Sequence, residues 1–398
     1  MVESVAQFAR AVLRPNVRDF EKARELPEAV RRTAHELGLG LVALPEALGG
    51  AGLGFTTAVL LEEEIAWGDP AAPFALAGPG AFGLALVELG TEEQAGAALA
   101  PFARDDGHAR FGAVAWGEPK AHPERPGFST IATKDGDGWR LDGAKAYVLN
   151  ADRAEQFVVF AQPQLDEAAG WSGIGAFLVD RSADGLTVTE RASTLGLDAA
   201  SFGGIELRGV VVPESARLAG GADFMASLVR FFAKNALLVA ARGVGLSRAA
   251  FEVTREYVDT RKAFGKPIGH FQAIAFTIAD RAMDVDAGRG LVWRAAAAWD
   301  ALGRGEGSAK DALLLTAQAV SFVHEAAMRC GDDGVQLHGG AGFMRDYLVE
   351  KLMRDAKQLG LCGMTAEQAD QLAAAVTLGV PLDPGLVLPT PETQNAFV

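Results

Sequence analysis

Two short segments carry the residue types from which a site for a flat, anionic ligand could be built. The first, Arg261-Lys-Ala-Phe-Gly-Lys-Pro-Ile-Gly-His-Phe-Gln272, is expected to be a loop between two helical patterns. It puts a permanently charged arginine, an aromatic and an amide near helix ends, where free backbone N–H groups already favour anions. The same spacing also suits an ordinary helix-joining loop with a solvated arginine. The second, Gln336-Leu-His-Gly-Gly-Ala-Gly-Phe343, places adjacent glycines after a helical stretch. Without a Cβ, such residues let another backbone or a flat ligand approach closely. They equally suit a turn that ends a helix.

Other chemistries find little support. The chain has no G-x-x-x-x-G-K-[ST], H-E-x-x-H or G-x-S-x-G motif. Gly49-Gly-Ala-Gly-Leu-Gly54 follows a Pro-Glu turn rather than a strand, so it does not read as a dinucleotide-binding loop. The 6 histidines are scattered without ligand spacing, and no metal site is expected. The 2 cysteines, Cys330 and Cys362, are too far apart to read as a metal or redox pair, which suits a reducing, cytoplasmic setting. Lys and Arg number 37 against 51 Asp and Glu, a net charge of −14 with no basic block, which argues against a nucleic-acid partner. Pro70 to Val87 is uncharged but carries Pro73, Pro79 and several glycines, so it reads as a loop and a buried helix rather than a membrane span. Met1 to Arg10 has no apolar signal core, and no targeting segment is expected.

The elements that must position the two segments follow from the hydrophobic period. At 398 residues the chain exceeds what one core usually organises. Residues 1–110 read as helical: Leu26 to Leu37 is closed by Gly38 and Gly40, Phe55 to Trp67 is amphipathic, and Thr91-Glu-Glu-Gln is a capping box. Over residues 111–221 the period falls to two in segments such as Gly138-Trp-Arg-Leu-Asp-Gly and Gln156-Phe-Val-Val-Phe-Ala, which predicts an antiparallel sheet or barrel. Residues 222–398 return to long Ala-rich helices, Phe224–Thr260, His270–Leu302 and Ser308–Gly331, with a shorter one at Ala366–Leu378. The expectation is an α+β multidomain chain: N-terminal helices, a central antiparallel β-barrel, and a C-terminal four-helix bundle.

At the two segments the sequence resembles the acyl-CoA dehydrogenase family, from about Glu28 to Leu372. Leu44-Pro-Glu-Ala-Leu-Gly-Gly-Ala-Gly-Leu is similar to the family's P-E-x-x-G-G-x-G, and Trp116-Gly-Glu-Pro stands where it has T-E-P. Val349-Glu-Lys-Leu-Met-Arg-Asp-Ala-Lys matches its signature near the C-terminus. The resemblance implies the same three-part fold, FAD as cofactor, and desaturation of an acyl-CoA thioester between Cα and Cβ. A carboxylate would take the α-proton while hydride leaves Cβ for the flavin. It further implies that Arg261, Phe264, Gln272, Gln336, Gly339 and Gly340 reach the adenosine diphosphate half of a neighbouring subunit's FAD.

The departures from the family are as specific as the matches. Its glutamate base in Y-E-G falls on Gly363, and the alternative base position on the first bundle helix is Asn235. Neither side chain is a base at neutral pH. Glu367 is close in sequence, but Thr365-Ala-Glu-Gln reads as a helix start. The threonine of T-E-P is Gly117, the W-I-T segment is Tyr147-Val-Leu149, and G-S-D is replaced by Ala121-His-Pro-Glu-Arg-Pro. The Asp and Arg usual on the first bundle helix are Ala233 and Ala236. Three readings follow: the base-less subunit of a heteromeric acyl-CoA dehydrogenase, a self-sufficient homo-oligomeric flavoenzyme with a displaced base or an oxygenase activity, or a non-catalytic scaffold. An electron-transfer flavoprotein is a candidate partner, and no membrane is expected.

Overall fold

A computed structural model describes residues 1–120, 127–164, 173–220 and 223–380. The segment Ala121-His-Pro-Glu-Arg-Pro and the tail from Pro381 lie outside the described residues. The first third is helical: α1 (Val2–Phe8), α2 (Val17–Ala23), α3 (Glu28–Glu36), α4 (Gly54–Gly68), α5 (Ala72–Ala75), α6 (Gly80–Leu89) and α7 (Glu92–Leu99). The Thr91 hydroxyl accepts from Gln94 N while the Gln94 side chain accepts from Thr91 N, so the expected capping box is formed. The uncharged Pro70–Val87 stretch contributes α5 and most of α6, both largely buried.

Seven strands follow: β1 (Gly112–Ala115), β2 (Ile131–Asp135), β3 (Gly138–Leu149), β4 (Gln156–Pro163), β5 (Gly175–Asp180), β6 (Leu186–Val188) and β7 (Phe202–Pro213). They form one sheet in the order β1-β4-β2-β3-β7-β6, with β5 on β4. The expected antiparallel barrel is corrected here. β1 and β2 both run parallel to β4, the other pairings are antiparallel, and the curled sheet is a mixed half-barrel. A period of two records which face a residue points to and is silent on the direction of the neighbouring strand. The segment Gln156–Ala161 forms a strand as expected, and β4 is buried on both faces. Phe157 and Val159 join the sheet's own core, whereas Val158 and Phe160 join the core shared with the helices.

The C-terminal third consists of α8 (Phe224–Thr260), a two-stranded ribbon β8 (Lys262–Ala263) and β9 (Lys266–Pro267), α9 (Gln272–Gly303), α10 (Ala309–Leu337), α11 (Val349–Leu359) and α12 (Ala366–Leu378). α10 packs against α8, α9, α11 and α12. The most apolar window of α8 could cross a membrane by length and composition, but 61% of it is buried within the protein. α10 runs past Gly331, where the sequence pattern suggests an end. A Cβ at Gly331 would stand 2.9 Å from Met353 Cα, so this glycine admits a neighbouring helix rather than ending its own.

The three parts meet at Lys351 on α11. Its Nζ lies 2.8 Å from Asp69, just past α4, and 2.6 Å from Asp355 one turn along α11. Asp355 also accepts from Leu197 N (2.6 Å) in the loop before β7, and Gln358 accepts from Gly196 N (3.0 Å). Burial disfavours the Lys351 charge, but Asp355 and Asp69 outweigh it and hold its pKa above the ordinary lysine range. Lys351→Met leaves two buried carboxylates facing each other. It is expected to cost about 3–5 kcal/mol of unfolding free energy, read from urea titrations of the variant against wild type.

Candidate functional site

The Arg261 segment is a tight hairpin rather than an irregular loop. β8 pairs with β9, and the two residues between them, Phe264 and Gly265, both have positive φ (50° and 83°), as a primed two-residue turn requires. An aromatic held at positive φ is strained, yet the Phe264 ring is 96% exposed and gains little from packing in this chain. Arg261 is exposed and forms no ion pair with any described residue. Gln272, the first residue of α9, is exposed as well.

The glycine segment comes to the same end of the helices. Arg261 N donates to Tyr257 O (2.8 Å), and the Tyr257 ring stacks on His338 at 4.0 Å between centroids. His338 is buried and Nδ1 bonds to Gly334 O (2.7 Å), which fixes the start of the Gly339-Gly340 turn. Gln336, Gly339 and Gly340 are exposed, and a Cβ at either glycine would meet nothing within 4 Å. The structure therefore brings all six residues to one open surface.

The two base positions also meet, beside the first half of α8 and away from its Arg261 end. A Cβ on Gly363 would stand 3.3 Å from Asn235 Nδ2, 3.5 Å from Val239 Cγ2 and 3.7 Å from Ala236 Cα. Gly363 is exposed with φ +74°, and Asn235 is half-buried. Glu367 is exposed in the first turn of α12, under a capping box formed by Thr365 and Gln368. The backbone N–H of Glu367 and the Thr365 hydroxyl hold its carboxyl below the usual range, which is the opposite of what a general base at neutral pH needs. Burial pushes the Cys362 thiol beside Gly363 up to about 12, so it stays protonated.

Beneath Asn235 lies a cavity of about 90 Å³ between α4, α5–α6 and α8, lined mainly by aliphatic side chains such as Leu44, Leu61, Ile65 and Leu84. One wall is charged. Arg242 binds Glu62 with two parallel hydrogen bonds, Nε to Oε2 at 2.8 Å and Nη2 to Oε1 at 3.1 Å. Its guanidinium lies 4.4 Å from the Phe74 ring centroid.

Gly117 and the Tyr147–Leu149 segment are held together by a second buried pair. Ala146 N donates to Gly117 O (2.9 Å). Lys145 Nζ lies 3.0 Å from Glu118 Oε1, donates to Trp116 O (3.1 Å), and sits 3.5 Å from the Phe128 ring centroid. Glu118 accepts in turn from Ser129 N and Thr130 N at 2.7 and 2.9 Å. Tyr147 is 75% exposed, and Leu149 packs against the core of the N-terminal helices.

The acyl-CoA dehydrogenase N-terminal, middle and C-terminal domains match residues 1–106, 113–210 and 225–376. The chain belongs to the acyl-CoA dehydrogenase family. It is similar to the probable acyl-CoA dehydrogenase YngJ of Bacillus subtilis, with 31% identity over 92% of this chain and 93% of that one. It is also similar to the caffeyl-CoA reductase-Etf complex subunit CarC of Acetobacterium woodii, 29% identical over 95% and 97%. The butyryl-CoA dehydrogenase structure from Megasphaera elsdenii superposes with a TM-score of 0.85 at 27% identity, covering 95% of this chain and 97% of that one.

Acyl-CoA dehydrogenases bind FAD, and the two ends of this chain fit such a cofactor unequally. At the Arg261 end, an unpaired guanidinium, an exposed aromatic and two open glycines suit a pyrophosphate and its adenosine. At the Gly363 end, Leu149 offers no hydroxyl, Gly117 no side chain, and Ala233 and Ala236 are buried methyls. A Cβ at Gly117 would lie 3.0 Å from Ala146 O, so the space for a larger residue is narrow. The sequence reading missed the Lys145–Glu118 and Arg242–Glu62 pairs. The available signal was a lone charge in an apolar run, such as Arg242 within Leu237 to Leu246, since such a charge needs a buried partner.

Burial lowers the Lys145 pKa to about 8, partly offset by Glu118. Burial also works against the Glu118 charge, but Lys145 and the bonds from Ser129 and Thr130 outweigh it and hold that carboxyl below the usual range. Between about pH 8 and the unfolded lysine value near 10.4, the unfolded chain holds a proton at Lys145 that the folded chain has lost. Stability relative to Lys145→Met is therefore expected to rise with pH across that window, by up to about 1.4 kcal/mol per unit. Urea unfolding of both proteins at several pH values measures the slope, and a flat difference would contradict the assignment.

Proposed function

We propose that this chain is the base-less subunit of a heteromeric acyl-CoA dehydrogenase. In this reading it completes the FAD site of a homologous partner that carries the glutamate, and it acts in the cytoplasm with an electron-transferring flavoprotein as acceptor. The observation that carries the proposal is the meeting of Gly363 and Asn235, which leaves no carboxylate where either arrangement of the family would put its base. The length of α8 supports it. From Asn235 to Arg261 is 26 residues, about 39 Å of helix, further than one dinucleotide can bridge. Arg261 and Gly363 of one chain therefore serve different cofactors.

FAD supplies the redox step when bound. This chain's own contribution would be to bind and orient: Arg261 would neutralise the pyrophosphate, and Phe264, Gln272, Gln336, Gly339 and Gly340 would hold the adenosine part. The acceptor assignment draws on the likeness to CarC, a subunit of a complex with Etf.

Turnover by the purified chain alone is expected to fall about two to four orders of magnitude below common enzyme rates, the usual loss when general base catalysis is missing. Gly363→Glu is expected to restore little, because position 363 has positive φ and Gly117, Leu149 and Ala236 remain. Turnover of any acyl-CoA by the wild-type chain at about 1–1000 per second would refute the subunit reading and favour a self-sufficient enzyme.

Arg261→Ala is expected to lower flavin content and weaken the assembly together, because a ligand spanning an interface stabilises only the associated state. The isolated chain's melting temperature should stay nearly unchanged. Flavin absorbance and light-scattering mass of the co-expressed complex read both effects. Unaltered values would rule out cofactor sharing through this residue.

A further inference from the structure

The cavity under Asn235 has a polarity that desaturation of a plain acyl chain does not call for. Its lining is aliphatic except for Asn235 and the Arg242–Glu62 pair. Asn235 and Arg242 are seven residues apart on α8, about 10 Å, or roughly eight bonds of an extended chain. Nε and Nη2 of Arg242 are engaged by Glu62, whereas Nη1 bonds to no described residue although Arg242 lines the cavity and is buried. Nη1 is not among the fully buried unpartnered atoms, so an oxygen in the cavity, from water or a ligand, can reach it and accept from it.

Charge decides which oxygen fits. The Arg242–Glu62 pair is already neutral, so a carboxylate entering the cavity would add a third buried charge beside Glu62 without a partner. A hydroxyl or ketone adds none. It can accept from Nη1, and a hydroxyl can also donate to a free lone pair of Glu62. We infer that this cavity binds an acyl group carrying a neutral oxygen, hydroxyl or ketone, about eight bonds from the thioester. Because Asn235 and the adjoining Gly363 offer no carboxylate, the group is held without reaction. The inference rests on the acyl-CoA reading for the general location of the ligand and adds its chemical class.

The test is calorimetric titration of the full-length chain with octanoyl-CoA, ω-hydroxyoctanoyl-CoA and octanedioyl-CoA. ω-Hydroxyoctanoyl-CoA is expected to bind at least about fivefold more tightly than octanoyl-CoA, within the worth of one buried hydrogen bond, and octanedioyl-CoA more weakly than either. In the Arg242→Leu/Glu62→Leu double variant, which strands neither charge, the hydroxyl preference should vanish while octanoyl-CoA binding persists. Equal or tighter binding of octanoyl-CoA by wild type overturns the inference, as does tightest binding of the dicarboxylate. A hydroxyl preference that survives in the double variant also overturns it. Binding of none of the three thioesters would instead overturn the acyl-CoA reading of this cavity, and the inference with it.

Discussion

One buried ammonium holds the parts of this protein in register. Lys351 has almost no contact with solvent, and both its carboxylate partners are as deeply buried. Asp69 belongs to the N-terminal helices, Asp355 to α11, and Asp355 passes the contact on to Leu197 of the β-domain. A pair of this kind adds little net stability compared with an apolar replacement, yet it tolerates no displacement, because each group depends on the others to stay charged out of water. The loop from Thr194 to Leu197 also approaches α11 closely. A Cβ at Gly196 would stand 2.6 Å from Arg354 carbonyl atoms. Since α11 leads directly into Gly363, the position of that residue relative to α8 and to the β-domain follows from this one anchor.

The second constraint is the straight run of α8. It carries Asn235 near one end and Arg261 at the other, and its middle is fixed to α4 by Arg242–Glu62 and by Arg248 with Glu63 and Glu64. A helix so braced cannot bend to bring its ends to one ligand. Phe264 is strained and exposed, and Arg261 forms no ion pair with any described residue.

Much of this was legible in the sequence, and the failures have physical causes. Helices α8 and α12 lie where periodicity placed them, and the capping boxes at Thr91 and Thr365 are formed, because these signals are local. The parallel pairing of β1 and β2 with β4 was not legible, since alternation specifies faces and not directions. Gly331 misled for a related reason: a glycine that ends a helix and a glycine that admits a neighbour look alike in sequence. The Gly363–Asn235 meeting was readable only as two positions of a family pattern. That Arg242 needs a buried partner was readable from its apolar run, but that the partner is Glu62 was not, because nothing local pairs residues so far apart.

The contrast between the buried charges and the neutral residues at the Gly363 end has a thermodynamic logic. Lys351, Asp69, Asp355, Lys145 and Glu118 are buried charges, and losing any one strands its partner at a cost of several kcal/mol, on the order of 3–5. Gly363 is exposed and Asn235 half-buried, so neutral side chains there strand nothing. A chain can therefore lack the groups that move a proton and still keep the charges that shape its fold. The Arg261 surface belongs with Gly363 and Asn235 rather than with the buried charges, since it is exposed and its removal would not unfold the chain. What its exposed groups do is therefore not set by the stability of this subunit.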